Sequence, residues 1–442
     1  MAIRIKPQLK ELSLTLAGVA LNAVLGLLTI KVLSNTLDKD NYSGYVLATT
    51  VTSFCMLIVF GPLTNSIARY FAEANTNGQL HDLRQTINSI FLKIVSSILF
   101  ATIFILLIAW LYNNNPATTE SAVIYGLILS IPTGICAIQE ALYSTNRMRG
   151  QVIKLQLGNN ALKILGIVII IQLFEPSDSL VLLTIAVSTL LVSWINWRIQ
   201  EDLIFKRYEY HNTAADRKCT AKEWQKLLLT YAIPFSIWSI PQWLQQAADK
   251  WTLQSAGDAT AVAELAILTT VFATPINLVS SALQQFISPI LFQRMADKSN
   301  DTNFQNFRSV ILLCALLTGF CIPLILLSHF YSSKLITFFS NEAYTTQGSW
   351  GVSIALAYFL QSLGQILCLP LLGEGKLGSL TKLKISTGIL GAIFSIFGAA
   401  YYALAGAIFA QFAFGLMFLI GSLVLQFEQV IRLCKLNRIA QR

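Results

Sequence analysis

The chain has 442 residues, of which 55% are hydrophobic and only 12% are charged. Soluble domains carry about 25% charged residues, so this composition argues against an ordinary soluble enzyme or binding module. The formal net charge of +9 does not indicate nucleic acid, because the cations lie in short polar segments between long apolar runs. This alternation is typical of an integral membrane protein.

The N-terminal segment carries Arg4, Lys6 and Lys10 ahead of an apolar run from Leu12 to Ile30. A signal peptide has a similar start, but its apolar core is shorter and no further apolar runs need follow it. We therefore predict that this run is the first transmembrane helix and that it is not cleaved.

Twelve apolar runs are long enough to cross the ~30 Å hydrocarbon core as helices of about 20 residues. The predicted spans of the first half are 12–33, 45–68, 91–112, 121–143, 153–174 and 180–197. Those of the second half are 227–248, 260–285, 309–330, 350–373, 384–402 and 404–427, and Tyr401, Tyr402 and Gly406 mark a very short turn between the last two. The predicted fold class is an all-α polytopic membrane protein with twelve transmembrane helices.

The longest polar run, 198–226, contains seven Lys/Arg and five Asp/Glu and separates the two halves. We predict an N-terminal six-helix lobe over 1–205, a cytoplasmic connector over 206–226 and a C-terminal six-helix lobe over 227–442. With the N-terminus inside, the inner segments carry 26 of the 31 Lys/Arg and the outer segments carry 4. Cytoplasmic segments are enriched in Lys and Arg, so both termini are predicted to be cytoplasmic.

The two halves show a weak internal repeat. Segments 70–84 and 294–308 align without a gap at an offset of 224, and each follows the second span of its half. Because six spans is an even number, both copies insert with the same orientation, which predicts a parallel repeat of the kind found in secondary transporters.

Ionisable side chains inside a bilayer cost about 2.5–3.5 kcal/mol at the helix centre, so they are candidates for function. Lys163 lies some ten residues into the fifth span and is the strongest candidate for a cation that faces a cavity. The alternatives are that it reaches the inner interface or pairs with Glu140. Lys31 and Lys250 lie at equivalent outer ends of the first and seventh spans, where lysines also serve as anchors at head-group level.

Amide side chains are plentiful in the spans, and they either join helices or meet sugar hydroxyls in a wet cavity. We place Gln242 and Gln361 among the candidate substrate contacts. The sequence analysis finds no acidic residue at the midplane of a predicted span. That pattern disfavours an exporter of cationic drugs and favours an anionic substrate held by lysine.

Motifs of enzymes and cofactor sites are lacking in the sequence. The three histidines and seven cysteines show no zinc-ligand spacing, and no Walker loop or nucleophile elbow occurs. We therefore expect no metal and no cofactor. The longest predicted outer loop, 331–349, contains only Lys334 and Glu342 as charged residues. This disfavours a membrane-embedded glycosyltransferase or polymerase, whose large outer loops usually carry the catalytic residues.

Three short segments resemble those of the Wzx-type polysaccharide flippases. Segment 31–51 is similar to their first-loop signature, in which an Asp-containing loop precedes a Gly-x-Tyr and the second helix; here these are Asp38, Gly44 and Tyr45, although Gly44 and Tyr45 are adjacent. Segment 61–74 resembles the end of their second helix, and 247–253 resembles the Asp-Lys element that closes their seventh. The chain departs from the pattern at 261–265, where a Gly-x-Tyr is usual.

The resemblance implies membership of the multidrug/oligosaccharidyl-lipid/polysaccharide exporter superfamily, with two six-helix lobes around a central cavity. It implies that polyprenyl-pyrophosphate-linked oligosaccharide, such as an O-antigen repeat unit, is flipped across the bacterial inner membrane by alternating access. Cations would hold the pyrophosphate, amides would meet the sugars, and the lipid tail would stay in the membrane. The implied partners are this glycan, membrane lipid, a polysaccharide polymerase and a chain-length regulator, and no nucleic acid. The alternative is a drug or metabolite antiporter of the same superfamily.

Overall fold

The computed structural model describes residues 5–112, 118–205, 220–284, 300–373 and 377–440. Every regular element within these ranges is helical, which confirms the predicted all-α class. A helix pairs its own backbone N–H and C=O groups, so it can enter hydrocarbon without leaving them unsatisfied. Two predicted segments fall partly outside the described residues: the connector over 206–219, and the second copy of the repeat motif over 294–299.

The helices are numbered here in chain order. The first eight are α1 Ile5–Thr36, α2 Lys39–Cys55, α3 Gly61–Thr76, α4 Leu80–Tyr112, α5 Thr118–Thr145, α6 Arg149–Leu173, α7 Asp178–Gln200 and α8 Ala221–Ser255. The others are α9 Ala259–Leu268, α10 over 274–284, α11 Asn300–Phe339, α12 Gly351–Leu367, α13 Leu369–Gly373 and α14 Leu377–Ala440. π-Helical turns at Met56–Phe60, Glu201–Phe205 and Thr269–Ala273 join or extend them, and a 3₁₀ segment occupies Glu342–Trp350.

The described helices account for all twelve predicted spans. Nine described segments are long and apolar enough to cross a membrane, and α1 adds a shorter apolar stretch, Ala20–Thr36. The longest of the nine, Gly378–Phe427, consists of two helices that meet at Ala403. The seventh span lies in α8, which is 35 residues long.

The predicted outer loop at 331–349 begins where the helical backbone breaks, at Tyr331 with φ of −129° and ψ of 17°. After this break α11 continues to Phe339 and the 3₁₀ segment follows almost at once, so most of the segment is helical. Hydropathy finds only the part of a helix that lies in hydrocarbon, whereas the backbone remains helical where the chain emerges into water.

The chain packs as two compact units, Met1–Trp243 and Leu244–Arg442, so the division falls within α8. The first part of α8 belongs to unit 1 because Trp224 and Leu228 are fully buried in its core. In addition, the Ser66 hydroxyl donates a hydrogen bond to the Leu228 carbonyl at 3.0 Å. This division describes packing, and the lobe boundaries assigned from the polar connector stay a prediction.

A pair of equivalent side-chain contacts occurs once in each unit. In unit 1 the Cys136 thiol on α5 lies 3.0 Å from the Ser193 hydroxyl on α7. In unit 2 the Cys368 thiol, just after α12, lies 3.3 Å from the Ser422 hydroxyl on α14. Each contact joins the fourth span of its half to the sixth.

A second equivalent pair lies close to the first. The Gln200 amide after the sixth span donates to the Gln139 carbonyl of the fourth span at 3.4 Å. In unit 2, Gln426 donates in the same way to the Leu367 carbonyl. Two matched cross-helix contacts at corresponding spans support the predicted internal repeat more strongly than the sequence echoes do.

Helices α2 and α5 approach each other closely at Gly126. A Cβ atom at this glycine would lie 2.5 Å from the Ala48 carbonyl oxygen. The Thr52 hydroxyl donates to the Gly126 carbonyl at 3.0 Å, so the close approach also carries an interhelical hydrogen bond. Small residues and hydroxyl groups are the usual means of joining helices in a bilayer.

The turn between the last two spans also brings two helix backbones into close contact. Ala403 has φ of 49°, which a residue with a side chain rarely adopts, and the two helices leave it in opposite senses. A Cβ atom at Gly406 would lie 1.9 Å from the Gly398 carbonyl oxygen across the turn. The turn predicted at Tyr401, Tyr402 and Gly406 is therefore present.

We expect Gly406→Ala to destabilise the protein by about 1–3 kcal/mol, because the added methyl group displaces the backbone of the neighbouring helix. Thermal unfolding of the purified protein in detergent measures the loss. The matched control is Gly319→Ala, since Gly319 lies on α11 with no atom within 4 Å of its Cβ position. Equal melting temperatures for the two variants would contradict the close packing at this turn.

Candidate substrate site

Unit 1 contains a network of amide side chains that joins α1 to α6. The Asn22 amide donates to the Gln156 carbonyl oxygen at 2.8 Å, and the Asn160 amide donates to the Asn22 oxygen at 3.1 Å. Gln156, Asn160 and Lys163 follow an i, i+4, i+7 spacing, so they lie on one face of α6. The three residues form a polar stripe along α6.

Lys163 lies half-buried on the same face of α6. Its ammonium group interacts electrostatically with Glu140 on α5. However, the described residues contain no direct ion pair between them, and the Glu140 side chain is hydrogen-bonded to Gln156. The charge of Lys163 is thus only partly compensated by the protein. This combination of one cation and several amides can hold an anionic group beside hydroxyl groups.

Unit 2 contains a different cluster around Asp249 on α8. The Asp249 side chain is fully buried. Its carboxylate accepts a hydrogen bond from Gln411 at 2.8 Å and forms an ion pair with Lys250 at 3.3 Å. Gln245 in turn donates to the Gln411 oxygen at 3.1 Å. The carboxylate is therefore neutralised and hydrogen-bonded within the unit.

The structure does not assemble the five predicted contact residues into one hydrogen-bonded group among the described residues. Lys163, Lys31 and Gln242 belong to unit 1, whereas Lys250 and Gln361 belong to unit 2. All five are half-buried, and Lys250 is held by Asp249 and by the Gln246 carbonyl at 2.8 Å. Their role in binding stays a prediction.

Gln156, Asn160 and the burial of Asp249 were not predicted from the sequence. The helical spacing of Gln156 and Asn160 from Lys163 could have identified these two residues. For Asp249 the signal was its spacing from Gln242 and Gln245, which repeats the i, i+3, i+7 pattern. The predicted seventh span ends at residue 248, whereas α8 continues to Ser255, so Asp249 lies within the helix and its side chain is buried.

Solved structures with this fold are membrane transporters. The inward closed lipid II flippase MurJ is similar over 93% of this chain and 87% of its own, with a TM-score of 0.72 and 14% identity. An inward-facing MATE family multidrug resistance transporter matches over 94% and 99%, with a TM-score of 0.64 and 13% identity. A MOP superfamily transporter from Pyrococcus furiosus matches over 97% and 96%, with a TM-score of 0.62 and 12% identity.

At such low identities these similarities establish the fold alone. The family model described as polysaccharide biosynthesis protein matches residues 9–295, well over half of the chain. The chain therefore belongs to the polysaccharide biosynthesis protein family. No curated protein sequence matches it.

We expect Asp249→Leu to destabilise unit 2, because the Gln411 amide and the Lys250 ammonium both lose their buried acceptor. The expected loss is about 1–3 kcal/mol. Asp249→Asn should lose less, since its carboxamide oxygen can still accept from Gln411. Unfolding of the purified variants measures this order.

The matched control is Glu342→Gln, which changes an exposed carboxylate of the same unit. If Asp249→Leu were as stable as this control, the hydrogen-bonded cluster would not contribute to the fold.

Proposed function

We propose that the protein flips polyprenyl-pyrophosphate-linked oligosaccharide units across the bacterial plasma membrane by alternating access, for surface polysaccharide synthesis. The observation that carries the proposal is the amide face of α6, on which Lys163 has no direct ion-pair partner among the described residues. Membership of the polysaccharide biosynthesis family and similarity to a lipid II flippase both support a lipid-linked saccharide as substrate.

The chemistry of such a substrate matches the site. A pyrophosphate is strongly anionic, and an ammonium group in a region of low dielectric attracts it more strongly than it would in water. Amide groups of Asn22, Gln156 and Asn160 can exchange their mutual hydrogen bonds for bonds to sugar hydroxyls. Lys31, Gln242 and Gln361 are proposed as further contacts on the path, whereas Lys250 is already held by Asp249.

The second candidate is a drug or metabolite antiporter, favoured by the similarity to MATE transporters and by the buried carboxylate of Asp249. A cationic drug needs a carboxylate that is free to pair with it. Asp249 is instead paired with Lys250 and hydrogen-bonded to Gln411, so flipping of an anionic substrate agrees better with the charges. We infer no enzymatic activity, since the relatives that define the fold are transporters.

In a strain lacking the gene, we expect surface glycan to be lost and lipid-linked repeat units to accumulate. Wild-type protein should restore surface glycan fully. Lys163→Arg should restore part of it, because arginine retains the positive charge. Lys163→Ala should restore none at equal expression. Immunoblotting of surface glycan and extraction of lipid-linked intermediates measure these outcomes. The control is Lys93→Ala, which removes an exposed lysine of the same unit.

The double variant Lys163→Ala with Glu140→Gln separates two roles of the lysine. If Lys163 only stabilised Glu140, the double variant would recover function, because no stranded carboxyl group remains. A role in substrate binding predicts that the double variant stays inactive. Unchanged surface glycan together with raised drug sensitivity in the deletion strain would favour the antiporter.

The proposed orientation places both termini and the α3–α4 turn in the cytoplasm, and the α6–α7 turn outside. In a background without native cysteines, Glu175→Cys should therefore react with a membrane-impermeant thiol reagent in intact cells. Thr76→Cys should react only after permeabilisation. Thr76 is the last residue of α3 and Glu175 lies in the α6–α7 turn, and both are exposed, so accessibility alone does not distinguish them. Labelling of Thr76→Cys in intact cells would contradict the orientation.

A further inference from the structure

Unit 1 contains a cavity of about 230 Å³ between α4, α5 and α7, separate from the amide network around Lys163. Its lining includes the polar side chains of Arg84, Gln139 and Glu201. Most of the other lining residues are apolar, among them Phe91 and Trp197. The cavity is therefore amphipathic.

The two charged residues that line the cavity form a bidentate ion pair. The Arg84 guanidinium donates to both carboxylate oxygens of Glu201, at 2.6 Å for the contact of Nη1 with Oε1. The two side chains remain 22% and 30% exposed. Their charges cancel in sum, but they leave a local dipole at the cavity wall with a positive and a negative pole.

Gln139 adds an unsatisfied acceptor to the same wall. Its side chain is 4% exposed, and its amide group donates to the Ser193 carbonyl at 2.8 Å. Its carboxamide oxygen has no hydrogen-bond partner among the described residues. A buried acceptor left without a donor costs about 1–3 kcal/mol, so a ligand that carries an N–H group would relieve this cost.

The cavity lies where α4 passes from head groups into hydrocarbon. At 33 residues, α4 is about 50 Å long, which exceeds the ~30 Å hydrocarbon core. Exposed side chains from Phe100 to Leu111 are large and apolar, whereas Asn88, Ser89 and Lys93 are exposed polar residues nearer the start. The cavity is lined by this earlier part of α4.

The half-exposed indole of Trp197 agrees with a cavity at head-group level, because tryptophans are enriched at the membrane interface. An amphipathic cavity at head-group level fits a membrane lipid better than a soluble metabolite. A ligand with two opposite charges matches the Arg84–Glu201 dipole, whereas a purely anionic ligand would be repelled by Glu201.

We propose that this cavity binds a phospholipid with a zwitterionic primary-amine head group, such as phosphatidylethanolamine. The phosphate lies toward the Arg84 guanidinium. The ammonium group lies toward Glu201 and can donate to the Gln139 carboxamide oxygen. An acyl chain packs along Phe91 and Trp197. This site does not depend on the identity of the transported substrate.

The test is native mass spectrometry of the full-length protein, purified in detergent and incubated with lipids that share the same acyl chains. Phosphatidylethanolamine should bind with higher occupancy than phosphatidylcholine, whose quaternary ammonium has no N–H donor. It should also exceed phosphatidylglycerol, which is anionic.

The double variant Arg84→Gln with Glu201→Gln removes both poles but keeps polar side chains at the two positions. It should bind phosphatidylethanolamine about tenfold more weakly, which corresponds to a loss of about 1.4 kcal/mol. The single variant Gln139→Met should lose the preference over phosphatidylcholine while still binding lipid. Lys334→Gln, a change to an exposed lysine of unit 2, is the control and should bind as wild type.

Equal binding of phosphatidylethanolamine and phosphatidylcholine by the wild type would overturn the proposal. So would undiminished preference in the double variant, or preferential binding of phosphatidylglycerol. A melting curve for each variant shows that it is folded, so that loss of binding is not loss of structure. Surface glycan in the complemented strain is measured in parallel, so failure of the lipid site is distinguishable from failure of the flippase proposal.

Discussion

Inside hydrocarbon a polar group has no water to bond, so each backbone and side-chain polar group must find its partner within the protein. The backbone meets this requirement by forming helices. The amide side chains meet it by bonding across helices, as Asn22 does with Gln156 and Gln245 does with Gln411. These bonds fix which helices are neighbours, and close packing at glycines lets the helices approach.

The two units meet this requirement differently at their buried charged side chains. In unit 2 the buried carboxylate of Asp249 has a direct cationic partner in Lys250 and a direct donor in Gln411. In unit 1 the cation of Lys163 interacts with Glu140 only at longer range among the described residues. An incompletely compensated cation beside exchangeable amides is a place where an anionic, hydroxylated substrate gains interaction energy that water does not supply. The proposed function depends on this difference.

Much of the fold could be predicted from the sequence because the hydrocarbon core imposes a length and a composition on each span. The short turn near Ala403 was predicted from neighbouring tyrosines and a glycine, and the structure has it. The helical form of the segment between the break at Tyr331 and Phe339 was not predictable from hydropathy, because a helical backbone does not require an apolar run. Family membership also agrees with the short first-loop signature.

The site was predicted only in part, for a physical reason. A helical period shows that Gln156 and Lys163 share a face, but it does not show which helix that face contacts. The partners lie far apart along the chain: Asn22 and Gln156 are 134 residues apart, and Asp249 and Gln411 are 162 apart. Such pairs are set by tertiary packing, so one sequence identifies the polar residues without identifying their partners.

The measurement that tests the central claim most directly is translocation by the purified protein in proteoliposomes. A polyprenyl-pyrophosphate-linked oligosaccharide is placed in both leaflets, and a glycosidase outside the vesicles removes the sugars it can reach. The account predicts that the protein makes the inner-leaflet fraction accessible and that Lys163→Ala does not. Protection of that fraction in the presence of active, correctly folded protein would contradict it, and uptake of a cationic drug by the same vesicles would establish the antiporter instead.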